Sequence, residues 1–177
     1  MRTLGPGSVS SFLKVILDVF YFGLVTAAAA CALGVVAVLL LSFRPDVLGS
    51  HIALDDLKVD GQWLGPVVAA ALVGLDLYLA GAIVIVGRLR RIFQTLIAGD
   101  PFHPDNVRRL RVIGGALAAL EIGRYVASAV SHIILHGHRG IDGSVNLTTW
   151  FAVLVIIVLA EVFREGARLR GEAELTI

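Results

Sequence analysis

The sequence predicts an all-α membrane protein, a four-transmembrane-helix antiparallel bundle with cytoplasmic helical extensions. Two observations lead there. Four stretches of near-continuous apolar sequence, Val19 to Leu41, Leu64 to Val86, Val112 to Leu135 and Leu147 to Phe163, are separated by short charged connections. A helix rises about 1.5 Å per residue and bonds its own backbone groups, so roughly 17 to 25 apolar residues match the hydrocarbon thickness of a bilayer. Of the 177 residues, 57% are hydrophobic and 16% charged, which leaves too little polar surface for a soluble domain of this size. With their flanks, the expected spans cover about 15–43, 64–88, 110–136 and 147–165, and one helical domain, 1–177, uses nearly the whole chain. A net charge of +1 offers no electrostatic case for direct nucleic-acid binding.

The first span holds the only cysteine, Cys31, in an Ala-rich run. A lone thiol with no activating neighbour there reads as a packing residue. The apolar stretch is too long for an ordinary signal-peptide core, so it is read as a retained anchor.

Arginine sets the orientation, because Lys and Arg near span ends resist translocation. Arg88, Arg90, Arg91, Arg108, Arg109 and Arg111 lie between spans two and three, Arg164, Arg168 and Arg170 follow span four, and Arg2 and Lys14 precede span one. The other two connections hold only Arg44, Lys58 and Arg139. The expectation is a multi-pass protein of the bacterial inner membrane with both termini cytoplasmic, and with Trp63 and Trp150 at the outer interface. The first outer connection carries Asp46, Asp55, Asp56 and Asp60, reads as a solvated acidic loop, and has the turn chemistry of a short hairpin at Asp60-Gly61.

Span three is polar along one face: Glu121, Arg124, Tyr125, Ser128, His132 and His136 recur every three or four residues. Intramembrane charge is costly, so these residues are expected inside the bundle and are candidates for a ligand site or a structural polar cluster. Asp76 on span two and Arg124 on span three each lie about 18 Å from the cytoplasmic boundary by helical rise. An Asp76 to Arg124 contact is therefore expected, with Glu121 completing a three-charge cluster. A second row, Gly115, Ala119, Gly123, Ala127 and Ser131, is expected to let a neighbouring helix approach closely, with a shorter counterpart in Ala70 and Gly74. His132 and His136, with His138 and His51, raise a zinc reading, but no carboxylate stands between the helical pair. No metal, cofactor or catalytic residue is assigned, and an enzyme is not expected.

Span two continues past the membrane with Leu89, Ile92, Phe93 and Leu96 as an apolar face, until Gly99 and Pro101 stop it. Pro104 suits the first turn of the next helix, and Asp105 suits its positive end. The result is a basic helical hairpin at the inner surface, fitted to anionic lipid or to a cytoplasmic partner. Glu161 and Glu165 alternate with Arg164 and Arg168 where span four leaves the membrane, and Glu161 is expected either to stay solvated or to reach the hairpin arginines.

At these residues the chain resembles a bacterial family of small membrane proteins, domain of unknown function 2975. The resemblance rests on Gly99-Asp100-Pro101-Phe102, on Asn106-Val107-Arg108-Arg109-Leu110-Arg111-Val112-Ile113-Gly114, on Glu161-Val162-Phe163-Arg164-Glu165-Gly166-Ala167-Arg168-Leu169, and on the ending Glu174-Leu175-Thr176-Ile177. It implies an integral inner-membrane protein without an established enzymatic activity, accompanied by a separate small helix-turn-helix regulator of the Cro/CI type. The expected partner surface is Arg90, Arg91, Phe102, Asn106, Arg108, Arg109, Arg111, Glu161, Arg164, Glu165 and Arg168. The competing expectation is a small transporter or proton-coupled carrier using Asp76, Glu121 and Arg124, although the helix count is small and no repeat is visible.

Overall fold

The structure, a computed structural model, describes residues 9–42, 61–134 and 144–174. Four helices occupy almost all of them: α1, Val9–Ser42; α2, Gly61–Ile97; α3, Pro104–Ile134; and α4, Leu147–Glu174. Each contains a segment long and apolar enough to cross a membrane. The helices outrun the expected spans at the arginine-rich end, where α2 continues to Ile97 and α4 to Glu174. Gly61 is helical rather than part of a hairpin turn. The acidic connection before it, His51, His136 and His138, and the terminal motif beyond Glu174 lie outside the described residues.

Contacts between successive helices run in opposite directions. Cys31 Sγ meets the Leu72 carbonyl at 3.3 Å while, farther toward the arginine-rich end, Arg90 meets Asp18. Gly81 faces Leu120, and Thr95 bonds Asn106. Gly114 lies against Ile156, and Trp150 bonds Tyr125. The start of α1 and the end of α4 therefore share one end of the molecule, together with the α2–α3 turn.

The helices pack in chain order, α1 on α2, α2 on α3 and α3 on α4, and no other pair packs among the described residues. The antiparallel four-helix arrangement is thus an open row rather than a closed bundle. In hydrocarbon an apolar side chain gains little by leaving lipid for protein, so nothing compels the row to close. Phe12, Phe22, Leu33 and Phe151 accordingly stay exposed on its outer faces.

Close approach occurs at single glycines rather than along the expected small-residue row. A Cβ at Gly81 would stand 2.5 Å from a Leu120 methyl, and one at Gly166 would stand 2.7 Å from the Phe102 ring. At Gly74, Gly115 and Gly123 a Cβ would meet nothing within 4 Å. The row misses because α3 turns Gly114, its neighbour in sequence, toward α4 and leaves Gly115 exposed.

Two glycines of α4 give an internally controlled test. Alanine favours a helix over glycine by roughly 1 kcal/mol. At Gly171, where a Cβ has open space, Gly171→Ala should raise the unfolding temperature in detergent. At Gly166 the added methyl must displace the Phe102 ring, so Gly166→Ala should lower it.

Candidate functional site

Two polar assemblies stand at opposite ends of the α3/α4 pair. The first is the clasp at the arginine-rich end. Helix α2 stops because Gly99 adopts φ 81°, a left-handed conformation that glycine takes without a Cβ penalty. The Gly99 amide then donates to the Leu96 carbonyl at 3.1 Å and the Asp100 amide to Thr95 at 3.0 Å, which pairs the carbonyls left over at the helix end. Pro104 opens α3 as expected, and the Asp105 amide donates to His103 Nδ1 at 3.2 Å.

Asn106 fastens this turn. It is fully buried; its Nδ2 donates to Thr95 Oγ1 at 2.8 Å and to the Pro101 carbonyl at 3.0 Å, and its Oδ1 accepts from Arg109 Nη1 at 2.9 Å. The same Arg109 nitrogen donates to the Arg91 carbonyl at 2.9 Å, so one guanidinium spans α2 and α3. Helix α4 docks on the turn through Phe102, whose ring lies 5.6 Å from that of Phe163 and against Gly166, and through Arg170, which bonds Asp100 at 2.5 Å.

The second assembly lies where α3 meets the start of α4. Glu121 is buried and accepts from Arg124 Nη2 at 2.7 Å; the same nitrogen donates to the Ser144 carbonyl at 2.6 Å. The Arg124 guanidinium also sits 5.0 Å from the Tyr125 ring centre, and the Tyr125 hydroxyl accepts from Trp150 Nε1 at 3.1 Å. Asn146 Oδ1 caps α4 by accepting from the Thr148 and Thr149 amides at 3.1 and 3.4 Å. Arg124 and residues 144–147 border an open recess of about 450 Å³. A paired carboxylate and guanidinium with tyrosine and tryptophan at the rim can take a polar ligand by exchanging hydrogen bonds, without baring an isolated charge.

The structure divides the expected polar residues. Glu121, Arg124 and Tyr125 come together, and Ser128 is buried one turn farther along α3. His132 is exposed in the last turn of α3. The expected Asp76 to Arg124 contact does not form: Asp76 makes no ion pair or hydrogen bond among the described residues, while Arg124 turns to Glu121 and Ser144. Its depth opposite Arg124 fits the register of Gly81 with Leu120, but its direction does not. Successive residues turn by about 100°, which places Asp76 close in angle to Leu72 and Gly87, on the stripe that faces α1. Among the described residues no three His, Cys, Asp or Glu side chains converge as a metal site.

The expected partner surface divides as well. Asn106 and Arg109 are spent inside the clasp, Phe102 packs on α4, and Arg90 pairs with Asp18 on α1. Glu161 does not join the hairpin; it pairs with Arg164 one turn away, as Glu165 does with Arg168, and Asp100 to Arg170 is the link that crosses. Arg91, Arg108, Arg111, Arg164 and Arg168 remain exposed. Asp18, Thr95 and Asn146 were not singled out from sequence. Two of these carry a sequence signal: Asp18 is an acid on span one at the depth of the arginines that follow span two, and Asn146 stands directly before the apolar run of span four, where an N-cap belongs.

These features define a four-helix polytopic membrane protein with a fastened arginine-rich end and a paired polar cluster at the other. The chain belongs to the family described as "Protein of unknown function (DUF2975)", which matches residues 14–177. No curated protein and no solved structure matches it significantly.

Glu121→Gln and Arg124→Gln should each lower the unfolding temperature in detergent, and the double variant should lose less than the sum of the two. Asp76→Asn with Arg124→Gln should be additive, since those side chains do not touch.

Proposed function

We propose that the protein is an inner-membrane regulatory anchor with both termini in the cytoplasm. In this reading it senses a ligand or membrane state at the Glu121–Arg124–Tyr125 cluster and presents its arginine-rich face to a separate cytoplasmic helix-turn-helix regulator. The observation that carries the reading is the double attachment of α4. Its first turn and the segment before it are held by Tyr125 and Arg124, and its far end is held by Asp100 and Phe102. A change of hydrogen bonding at one end therefore bears on the seating of the other through a single stiff helix. Such coupling requires two arrangements of α4 whose balance the signal shifts. The uneven distribution of arginine supports the orientation, and the exposed Arg108 and Arg111 supply a face that complements an acidic partner surface.

Asp76 sustains a second reading. A carboxylate midway along the apolar part of α2, with no partner among the described residues, is a group a proton-coupled carrier can use.

Mild-detergent purification from the native cell, with identification of what is retained, separates the two. The regulatory reading expects a helix-turn-helix protein in the eluate, depleted several-fold by Arg108→Gln with Arg111→Gln. Solute or proton flux in proteoliposomes that is lost in Asp76→Asn, with no regulator retained, would replace it with the carrier.

A further inference from the structure

At the arginine-rich end, on the side away from α4, a groove of about 330 Å³ opens between α1 and α2. Its upper wall carries Arg88, Arg90, Arg91 and Gln94, while Ile83, Val84 and Gly87 continue it down toward the apolar part of α2. Ile83 to Gln94 spans about 16 Å of helix, enough to run from the headgroup level into the acyl region. Helix α1 comes close to α2 here: a Cβ placed at Gly87 would lie 3.4 Å from Cε2 of the Tyr21 ring, an ordinary contact. Arg90 is set between the helices by Asp18, bonded at 2.5 Å, and by the Tyr21 ring, whose centre is 4.6 Å away.

The charges do not cancel. Asp18 matches Arg90, but Arg88 and Arg91 make no ion pair among the described residues. Two uncompensated guanidiniums and the Gln94 amide remain as donors above an apolar channel. A guanidinium fork suits phosphate oxygens, and a basic pocket between membrane helices suits an anionic headgroup.

We propose that this groove is a binding site for one anionic glycerophospholipid, with its phosphodiester held by Arg88, Arg91 and Gln94 and one acyl chain laid along Ile83 and Val84 beside Tyr21. Charge alone would also admit an acidic peptide or free phosphate. The apolar floor favours a lipid, because only a lipid fills both levels of the groove. A zwitterionic lipid carries the same phosphate, but its ammonium group meets the surplus positive charge. The site uses the α1/α2 side and neither the polar cluster nor α4; it shares Arg91 with the arginine-rich face but not Arg108 or Arg111, on which the test of the regulatory reading rests.

The test is retention of phosphatidylglycerol against phosphatidylcholine by the full-length protein extracted from nanodiscs holding equal amounts of both, read by native mass spectrometry. Wild-type protein should retain one phosphatidylglycerol in clear preference. Arg88→Gln with Arg91→Gln should reduce that retention roughly tenfold or more. Arg108→Gln with Arg111→Gln removes the same charge elsewhere at this end and should leave it unchanged. Equal unfolding temperatures for the two double variants guard against a folding defect; if the groove variant is destabilised, Arg88→Lys with Arg91→Lys, which keeps the charge but not the fork, should retain an intermediate fraction. No preference in wild type, an equal loss in both double variants, or displacement of the lipid by millimolar inorganic phosphate would each overturn the proposal.

Discussion

The buried amide of Asn106 is the interaction on which the arginine-rich end depends. It joins the last turn of α2, the Pro101 carbonyl and the first turns of α3 through one side chain with no exposed surface. Each such bond adds only about 0.5–1.5 kcal/mol net, and its partners Thr95, Pro101 and Arg109 are only part-buried, so the strength of the turn lies in three bonds converging on one buried amide. Phe102 and Asp100 lie within this turn, so the seating of α4 inherits its geometry.

The arginines of that end, alike in sequence, do three different jobs. Arg109 and Arg170 are structural ties, one within the hairpin and one from α4 to the turn. Arg90 fixes α1 to α2 through Asp18, and Arg88 and Arg91 border the groove beside it. Arg108, Arg111, Arg164 and Arg168 face outward, the last two beside glutamates of their own helix. The open row keeps these groups apart: among the described residues α1 packs only on α2 and α4 only on α3, so the groove beside α1 and the outward arginines of α4 lie on different helix pairs.

The four helices were legible because hydrocarbon demands long apolar segments with paired backbones, a constraint written into composition and length. The stop at Gly99, the start at Pro104 and the polarity of Glu121, Arg124 and Tyr125 were equally plain. Direction was not. Helical rise placed Asp76 and Arg124 at one depth, but a helix offers its neighbours several faces, and which face meets α1 or α4 depends on packing around Gly81, Gly114 and Leu120. The same ambiguity of face applies to the Gly115 row, where a Cβ at Gly115 or Gly123 would meet no neighbouring helix. Asn106 looked like a surface residue because asparagine usually is one; its burial follows from the tertiary meeting of Thr95, Pro101 and Arg109. The family motifs, Gly99 through Phe102, Asn106 through Gly114 and Glu161 through Leu169, supply Gly99, Asp100, Pro101, Phe102, Asn106, Arg109, Phe163 and Gly166 to the clasp, while their other charged residues face outward.

Hydrogen exchange of the protein in nanodiscs, comparing wild type with Asn106→Ala, addresses that clasp most directly. The amides of Ala98, Gly99, Asp100, His103 and Asn106 all donate to backbone carbonyls. They should exchange slowly in wild type, and Asn106→Ala should speed exchange both there and in residues 163–170 of α4, while the α1 to α2 contact region stays protected. Rapid exchange across the turn of the wild-type protein, or a far end of α4 indifferent to the loss of Asn106, would contradict the account.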